Sequence, residues 1–180
     1  YHAIGIGPGL GKEQETTESL KAVLRKYKKP MVIDADALNI LSENQEFLKL
    51  ISENSILTPH VKEFERLVGN WNTLQERFNK QQQFAKENKC VVVLKDAKTC
   101  ICCPKGEFFI NTTGNAGMAT GGSGDVLTGI LTGLLAQGYK SLHAALIGVY
   151  FHALAGDVAV QHKGMNALIA SDIVECLRIE

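Results

Sequence analysis

The sequence has no excess of charge of either sign. Its 19 Lys and Arg residues match 19 Asp and Glu residues, so the formal net charge at neutral pH is zero. Proteins that bind nucleic acid or an acidic membrane surface usually carry a basic face, and the balanced charge argues against both kinds of partner. An anionic ligand would have to be held by local geometry.

Cysteines are few, and their spacing fits no zinc site. The chain has five, and Cys100, Cys102 and Cys103 share one apolar run without a His or a second Cys pair at zinc spacing. We therefore predict reduced cysteines in the strands of a cytoplasmic protein. Uninterrupted hydrophobic runs stay far below the roughly eighteen residues of a membrane span, so no membrane association is expected.

The two common phosphate-binding patterns are also missing. The sequence has no Walker A pattern, and neither glycine cluster, at residues 7–11 and 121–125, matches the dinucleotide pattern Gly-x-Gly-x-x-Gly. It does have four glycines among residues 117–124, followed by apolar residues at helical spacing. A glycine-rich loop that opens a helix directs backbone N–H groups and the positive end of the helix dipole at one place, which favours an anion.

Asp125 is the single carboxylate of this glycine-rich loop. A carboxylate repels a bound anion, so its position suggests a role in a reaction. The alternative is a glycine-rich turn in which Asp125 is only a favourable charge at a helix N-terminus.

Strands and helices alternate along the chain, which predicts a mainly parallel sheet. The polar helix at residues 74–87 is expected to face solvent, and Ser171 is the expected N-cap of the last helix. The predicted strands are residues 3–7, 31–33, 55–57 and 90–94, with a hairpin of 99–103 and 107–111. The predicted helices are residues 12–27, 61–68, 74–87, 142–160 and 171–177, with a further helix after the glycine-rich loop.

Four successive predicted strands end in residues that carry chemistry. They are, in chain order, Gly-Pro-Gly, Asp-Ala-Asp, Thr-Pro-His and Lys95. Ligands of parallel sheets bind beyond the carboxyl ends of the strands, so these tips and Asp125 are expected to share one edge. Each tip alone also has a purely structural interpretation. Gly-Pro-Gly would be only a turn, Asp34 or Asp36 a helix N-cap, His60 a cap near Glu63, and Lys95 a surface residue.

Five motifs, in order over essentially the whole chain, carry a family resemblance. They are Gly-Pro-Gly-Leu-Gly, Asp-Ala-Asp-Ala-Leu-Asn, Leu-Thr-Pro-His-x-x-Glu-Phe-x-Arg-Leu, Val-Leu-Lys-x-x-x-Thr and Gly-Asn-x-Gly-Met-Ala-Thr-Gly-Gly-Ser-Gly-Asp-Val-Leu-Thr-Gly. The chain resembles the ribokinase-like superfamily and, within it, the ADP- or ATP-dependent NAD(P)H-hydrate dehydratases. The resemblance implies an α/β fold with a mainly parallel central sheet between two helical layers. Asp96 departs from the family pattern, which usually has Gly there.

The resemblance also implies the roles of individual residues. Asp125 would be the catalytic base and contact the substrate, Mg²⁺ would be the cofactor, and which residues hold the metal stays open. The implied nucleotide-binding residues are Lys95, Asp96, Ala97, Lys98, Thr99, Asn115, Ala116, Gly117, Met118, Ala119, Thr120, Gly121, Gly122, Ser123 and Gly124. The implied substrate-binding residues are Gly9, Gly11, His60, Glu63, Arg66 and Asp125.

The activity implied by the resemblance is metabolite repair by a lyase. NADHX and NADPHX, the hydrated forms of NADH and NADPH, would be dehydrated at the expense of ADP or, less expected, ATP, with release of AMP and phosphate. A homo-oligomer, a tetramer in the family, is implied as well. The alternatives are a small-molecule kinase of the same superfamily, acting on a vitamin precursor or a sugar, and a nucleotide-binding protein without enzymatic activity.

The first residues already have the pattern of a strand, and about the first third of the domain that is usual in the family is absent from this sequence. We therefore expect residues 1–180 to form a single domain that is incomplete at its N-terminus. An apolar sheet edge would then be exposed, and a protein of these residues alone is expected to aggregate and to lack activity until it is extended upstream.

Overall fold

A computed structural model describes residues 2–178. In this part of the chain, one sheet contains six strands in sequential order, of which the first four are parallel and the last two antiparallel. The strands are β1 (Gly5–Ile6), β2 (Val32–Ile33), β3 (Ile56–Leu57), β4 (Val91–Leu94), β5 (Cys100–Cys102) and β6 (Phe108–Ile110). The antiparallel pair is the predicted hairpin, which is confirmed.

Helices connect the parallel strands and follow the hairpin. They are α1 (Gln14–Lys26), α2 (Ala35–Glu43), α3 (Val61–Val68), α4 (Leu74–Glu87), α5 (Ser123–Ala136), α6 (Ser141–Lys163) and α7 (Ala170–Cys176). Short 3₁₀ helices lie at Gln45–Leu50, Ala116–Met118 and Met165–Ala167. The predicted bounds of α3 and α4 are confirmed, and α6 extends beyond its predicted end through the polar residues Gln161, His162 and Lys163.

The two faces of the sheet pack against different helices, which gives the predicted three-layer α/β/α architecture. Side chains of successive strand residues point to opposite faces. One face, with Ile33, Leu57 and Val92, packs on a core that contains residues of α1 to α4. The opposite face, with Val32 and Ile56, packs on a core built with α5 and α6.

α2 was not predicted from the sequence, and two further details of the helices differ from the predictions. α4 does not simply face solvent, because Gln81 is fully buried and its amide donates to the carbonyl oxygens of Val92 (3.2 Å) and Cys100 (3.0 Å). Ser171 is not an N-cap, because α7 begins one residue earlier and the N–H of Ile169 donates to Asp172 Oδ2 (3.1 Å).

α6 corrects the expectation about membrane-spanning length. This 23-residue helix is long and apolar enough to cross a membrane, by length and composition alone. Its small residues Ala144, Ala145 and Gly148 are buried, the two alanines in the core shared with α5. Half of its most apolar window is buried inside the protein, so packing against the sheet layer accounts for its composition.

The cysteines carry free thiols, as predicted. Cys90, Cys100, Cys102 and Cys103 are buried, and no disulfide joins the cysteines of the described chain. Burial raises the pKa of Cys90 and of Cys102 to about 12, so these side chains are neutral thiols at pH 7. Cys102 lies in β5 and Cys90 directly precedes β4, and both pack in the core.

Candidate active site

The carboxyl ends of β1 to β4 meet at one edge of the sheet. This follows from their parallel pairing, and it confirms the predicted convergence of the four strand tips. Beyond β3 and β4 the pairing continues as a bridge between His60 and Lys95, with the Lys95 N–H donating to the Pro59 carbonyl (2.8 Å).

A buried ion pair lies at the centre of this edge. Lys95 Nζ is 2.7 Å from Asp34 Oδ1, and Thr128 of α5 donates its hydroxyl to Asp34 Oδ2 (2.9 Å). Asp34 precedes α2 as its N-cap residue, but its side chain makes no capping hydrogen bond. The carboxylate is 1% exposed and the lysine side chain 23%. The helix-cap alternative for Asp34 is therefore wrong, and the side chain instead ties β2 to β4 and α5.

The glycine-rich loop crosses directly over this ion pair. Gly122 adopts a left-handed conformation (φ 84°, ψ −12°), and α5 begins at the next residue. A Cβ atom added to Gly124 would lie 3.4 Å from Lys95 Nζ. Glycine suits position 122 because of its positive φ, whereas Gly124 has helical geometry and brings the start of α5 close to the Lys95 ammonium group.

Asp125 lies in the first turn of α5, where it is exposed to solvent. Its carboxylate has no hydrogen-bond or ion-pair partner within residues 2–178, in contrast to the buried carboxylate of Asp34. The N-cap position of α5 is a glycine, so no side chain caps the first N–H groups of this helix. A free carboxylate thus stands beside uncapped backbone donors.

Two polar residues of α6, Asp157 and His152, make hydrogen bonds to the glycine-rich loop and to the start of α5, and neither was predicted from the sequence. Asp157 accepts hydrogen bonds from the Gly114 N–H (2.8 Å) and from the Asn115 side-chain amide (2.9 Å). His152 places Nε2 3.0 Å from the carbonyl oxygen of Ser123. The available signal was the presence of polar side chains inside a long apolar helix, where they cost free energy unless they are paired.

A cavity of about 320 Å³ adjoins the loop. The segment between α6 and α7 forms its other wall, with Met165 and Asn166. The predicted nucleotide residues Ala116, Gly117, Ala119 and Thr120 line it together with Leu168.

The other predicted nucleotide segment, residues 95–99, follows β4. Ala97 and Lys98 are exposed, and the Thr99 carbonyl accepts from the Asn111 N–H (2.9 Å). The Asp96 carboxylate already accepts two hydrogen bonds within the protein. Arg77 of α4 donates to its Oδ2 (2.7 Å), and the Ala97 N–H donates to its Oδ1 (2.7 Å). Partial burial raises the pKa of Asp96, but these hydrogen bonds and the Arg77 charge outweigh it and hold that pKa below its usual range.

His60 and Glu63 form a capping box at the start of α3. The Glu63 N–H donates to His60 Nδ1 (3.2 Å), and the His60 N–H donates to Glu63 Oε2 (2.7 Å). Glu63 is buried, whereas half of the His60 side chain is exposed. The helix-cap interpretation of this pair is confirmed, and their contact with a substrate stays a prediction.

The remaining predicted substrate residues are connected through α2. The Gly11 N–H donates to Asp36 Oδ2 (2.9 Å), and Arg66 Nη1 donates to Asn39 Oδ1 (2.7 Å). Gly9 is exposed. The β1 loop and α3 thus both bind to α2, and their substrate contacts stay predictions.

A family model described as NAD(P)H-hydrate dehydratase matches residues 1–178. The chain belongs to the NAD(P)H-hydrate dehydratase family. Among relatives of this family, the bifunctional NAD(P)H-hydrate repair enzyme Nnr of Moorella thermoacetica is 42% identical, over 97% of this chain and 33% of that protein. The ADP-dependent (S)-NAD(P)H-hydrate dehydratase of Neisseria meningitidis is 40% identical, over 96% of this chain and 60% of that protein.

Solved structures of the NAD(P)H-hydrate dehydratase family share the fold. The ADP/ATP-dependent NAD(P)H-hydrate dehydratase of Bacillus subtilis, co-crystallized with ATP and Mg²⁺ and soaked with CoA, has a TM-score of 0.83 at 33% identity, covering 98% of this chain and 64% of that one. The three-layer architecture is the ribokinase-like fold. The chain spans about a third of the length of the bifunctional relatives and less than two thirds of the Neisseria and Bacillus proteins.

The left-handed conformation of Gly122 predicts the effect of a valine there. A β-branched residue at positive φ costs about 1–2 kcal/mol, and a shift of the loop that relieves this strain would weaken nucleotide binding by about tenfold. Calorimetric titration with ADP measures the affinity. Gly133→Ala is the matched control, because it lies within α5 with open space around it. Unchanged affinity of a folded Gly122→Val variant would show that the loop does not hold phosphate.

Replacing Gly124 with valine is expected to act differently. The added side chain would press on Lys95 above the buried ion pair, so stability should fall together with nucleotide affinity. Urea denaturation of Gly124→Val and of the wild type measures this effect, and an unchanged stability of Gly124→Val would contradict this interpretation.

The buried side chain of His152 is expected to make the stability of the protein depend on pH. Burial lowers the pKa of His152, the hydrogen bond with Ser123 raises it, and the Lys95 charge lowers it, which together bring that pKa to about 4. The unfolded chain binds this proton below about pH 6.5 and the folded protein only near pH 4, so the free energy of unfolding falls as the pH drops between these values. The expected loss between pH 7 and pH 5 is about 2 kcal/mol.

Urea denaturation at both pH values tests this effect of His152. His152→Gln should remove this part of the pH dependence, whereas His143→Gln, at an exposed position on α6, should keep it. The same pH dependence in both variants would exclude His152 as its source.

Proposed function

We propose that this protein is an ADP-dependent NAD(P)H-hydrate dehydratase. It would restore NADH and NADPH from their hydrates NADHX and NADPHX and release AMP and phosphate. The observation that carries the proposal is the unpaired carboxylate of Asp125 beside the uncapped N-terminus of α5. The names of the Neisseria and Bacillus relatives support the same substrate class and a nucleoside phosphate as co-substrate.

The proposed reaction begins with a phosphoryl transfer. Asp125 accepts the proton of the hydroxyl group on the hydrated ring while that oxygen attacks the terminal phosphorus of ADP, and AMP leaves. The N–H groups of the glycine-rich loop stabilise the negative charge on the transferring oxygens. The C–O bond of the resulting phosphate ester then breaks. Loss of phosphate and of a proton from the neighbouring carbon restores the ring double bond.

The residues at this edge fit a nucleotide with its magnesium ion. Within the described chain, no group of three or more His, Cys, Asp or Glu side chains is placed to hold a metal by itself. Mg²⁺ usually keeps several waters and binds substrate phosphates, so a dedicated group of protein ligands is not required. When bound, Mg²⁺ would neutralise charge on the phosphate oxygens.

The experiment is to supply the hydrate of NADH together with ADP, ATP or no nucleotide. We expect the absorbance of reduced nicotinamide to return with ADP, more weakly with ATP, and not without a nucleotide. Free phosphate should appear in equal amount. Release of AMP with a stable phosphorylated product would identify a kinase, and no turnover with any nucleotide would overturn the proposal.

Assembly and compartment belong to the same proposal. A homo-oligomer, a tetramer as the family resemblance implies, is supported by the exposed apolar side chains Tyr150, Ile169 and Val174. The free, buried cysteines support a reducing compartment such as the cytoplasm. Light scattering on the intact protein should give the mass of a tetramer, and a monomer would contradict the proposed assembly.

A further inference from the structure

A second, larger cavity lies at the opposite end of the sheet from the candidate active site. Its volume is about 550 Å³. Pro30 and Asn54, which precede β2 and β3, and Val91, the first residue of β4, line it. Because β2 to β4 are parallel, residues that precede them lie at the far end from the tips that carry Asp34, His60 and Lys95.

The N-terminus of α6 opens into this cavity without a cap. Lys140 occupies the N-cap position and makes no capping hydrogen bond, because an ammonium group has no acceptor atom. The N–H groups of Ser141, Leu142 and His143 find no acceptor among residues 2–178. The lysine charge adds to the positive end of the helix dipole, where an anion is favourable and a cation is not.

The side chain of Ser141 points independently to a ligand. It is 6% exposed, and its hydroxyl has no hydrogen-bond partner in the part of the chain that the structure describes. A buried hydroxyl without a partner costs free energy, and few folded proteins leave one unpaired. Ser141 lines the cavity, so a ligand there is placed to supply the missing partner.

The remaining lining combines positive charge with apolar surface. Lys29, Lys105 and Lys140 line the cavity, and among residues 2–178 its one carboxylate is that of Glu107, which accepts a hydrogen bond from the Cys103 thiol (3.4 Å). The apolar part is formed by Pro30, Val91, Pro104, Leu135, Tyr139 and Leu142.

We propose that this cavity is a second ligand site, for a small anion with an apolar body. A phosphate or carboxylate group would accept hydrogen bonds from the first turn of α6 and from Ser141, with Lys105 and Lys140 balancing its charge. The apolar body would lie against Val91 and Leu135. The site is separate from the nucleotide loop and does not depend on the proposed dehydratase activity.

The test uses four probes on the intact protein: phenyl phosphate, benzoate, phenol and inorganic phosphate. At least one of the two aromatic anions is expected to bind about tenfold more tightly than phenol and inorganic phosphate, and to shift the amide resonances of residues 141–143. The stronger of the two identifies the preferred anionic group. Saturating ADP should leave the affinity unchanged, because ADP belongs at the opposite end of the sheet.

Three variants complete the test. Lys140→Glu should weaken binding about tenfold and Ser141→Ala about threefold, whereas Lys49→Glu, an exposed charge reversal outside the cavity, should have no effect. Ser141→Ala should fold normally, since the hydroxyl that it removes has no partner. Binding of neither aromatic anion, equal binding of phenol, affinities insensitive to both cavity variants, or displacement by ADP would each overturn the proposal.

Discussion

Replacing Asp125 with Asn is expected to lower turnover of the hydrate by about 10²- to 10⁴-fold, the usual contribution of a general base. The amide keeps the size of the side chain but cannot accept the substrate proton. Nucleotide affinity should stay nearly unchanged or rise slightly, since a neutral group repels phosphate less than a carboxylate does. Stability should fall by no more than about 1 kcal/mol, the usual contribution of a charge at a helix N-terminus, because Asp125 is exposed and has no side-chain partner among the described residues.

Steady-state rates with the hydrate and ADP, together with calorimetric ADP affinities, measure the two effects separately. Glu46→Gln is the matched control, an exposed acid in the first turn of a 3₁₀ helix, and it should keep full activity. An Asp125→Asn variant that retains more than about a tenth of the wild-type rate would exclude this residue as the base.

The second large effect concerns the buried ion pair beneath the glycine-rich loop. Lys95→Met removes the only cation paired with Asp34 within residues 2–178, and that carboxylate is 1% exposed. Breaking a buried pair from one side costs about 3–5 kcal/mol, and the partial exposure of the lysine reduces the expected loss to about 2–4 kcal/mol. Urea denaturation of the variant and the wild type measures this loss of stability.

Two further variants identify the origin of the loss. Lys89→Met breaks the pair with Glu53, in which both side chains are 64% exposed, and it should cost less than about 1 kcal/mol. Adding Asp34→Asn to Lys95→Met removes the unpaired charge and should recover part of the stability. Equal losses for Lys95→Met and Lys89→Met would show that the buried pair has no special role.

The positions of the strand-tip residues could be predicted from the sequence, but most of their contacts could not. Alternating strands and helices predicted that Asp34, His60 and Lys95 follow parallel strands, and the structure confirms this shared edge. The cap formed by His60 and Glu63 was among the predicted alternatives, whereas the pairing of Lys95 with Asp34 was not predicted. A spacing of 61 residues carries no information about which side chains meet, because that depends on how the strands and α5 pack.

Asp125 and Asp157 show the same limit for the glycine-rich loop. The loop, the helix that follows it and the single carboxylate between them could be predicted, since glycine content and helical periodicity are local properties. The anchoring of Gly114 and Asn115 by Asp157 could not, because it joins residues about forty positions apart through the packing of α6.

Local sequence patterns were enough to predict most of the helices and strands, the parallel part of the sheet, the loop that opens α5 and the family, although α2 was not predicted. The role of each aspartate became clear only from the folded chain: Asp34 neutralises a lysine, Asp157 holds the loop, and Asp125 is left without a partner in residues 2–178. The three carboxylates are chemically identical in the sequence. Their difference arises from burial and from partners distant in the chain, which exist only once the layers have packed.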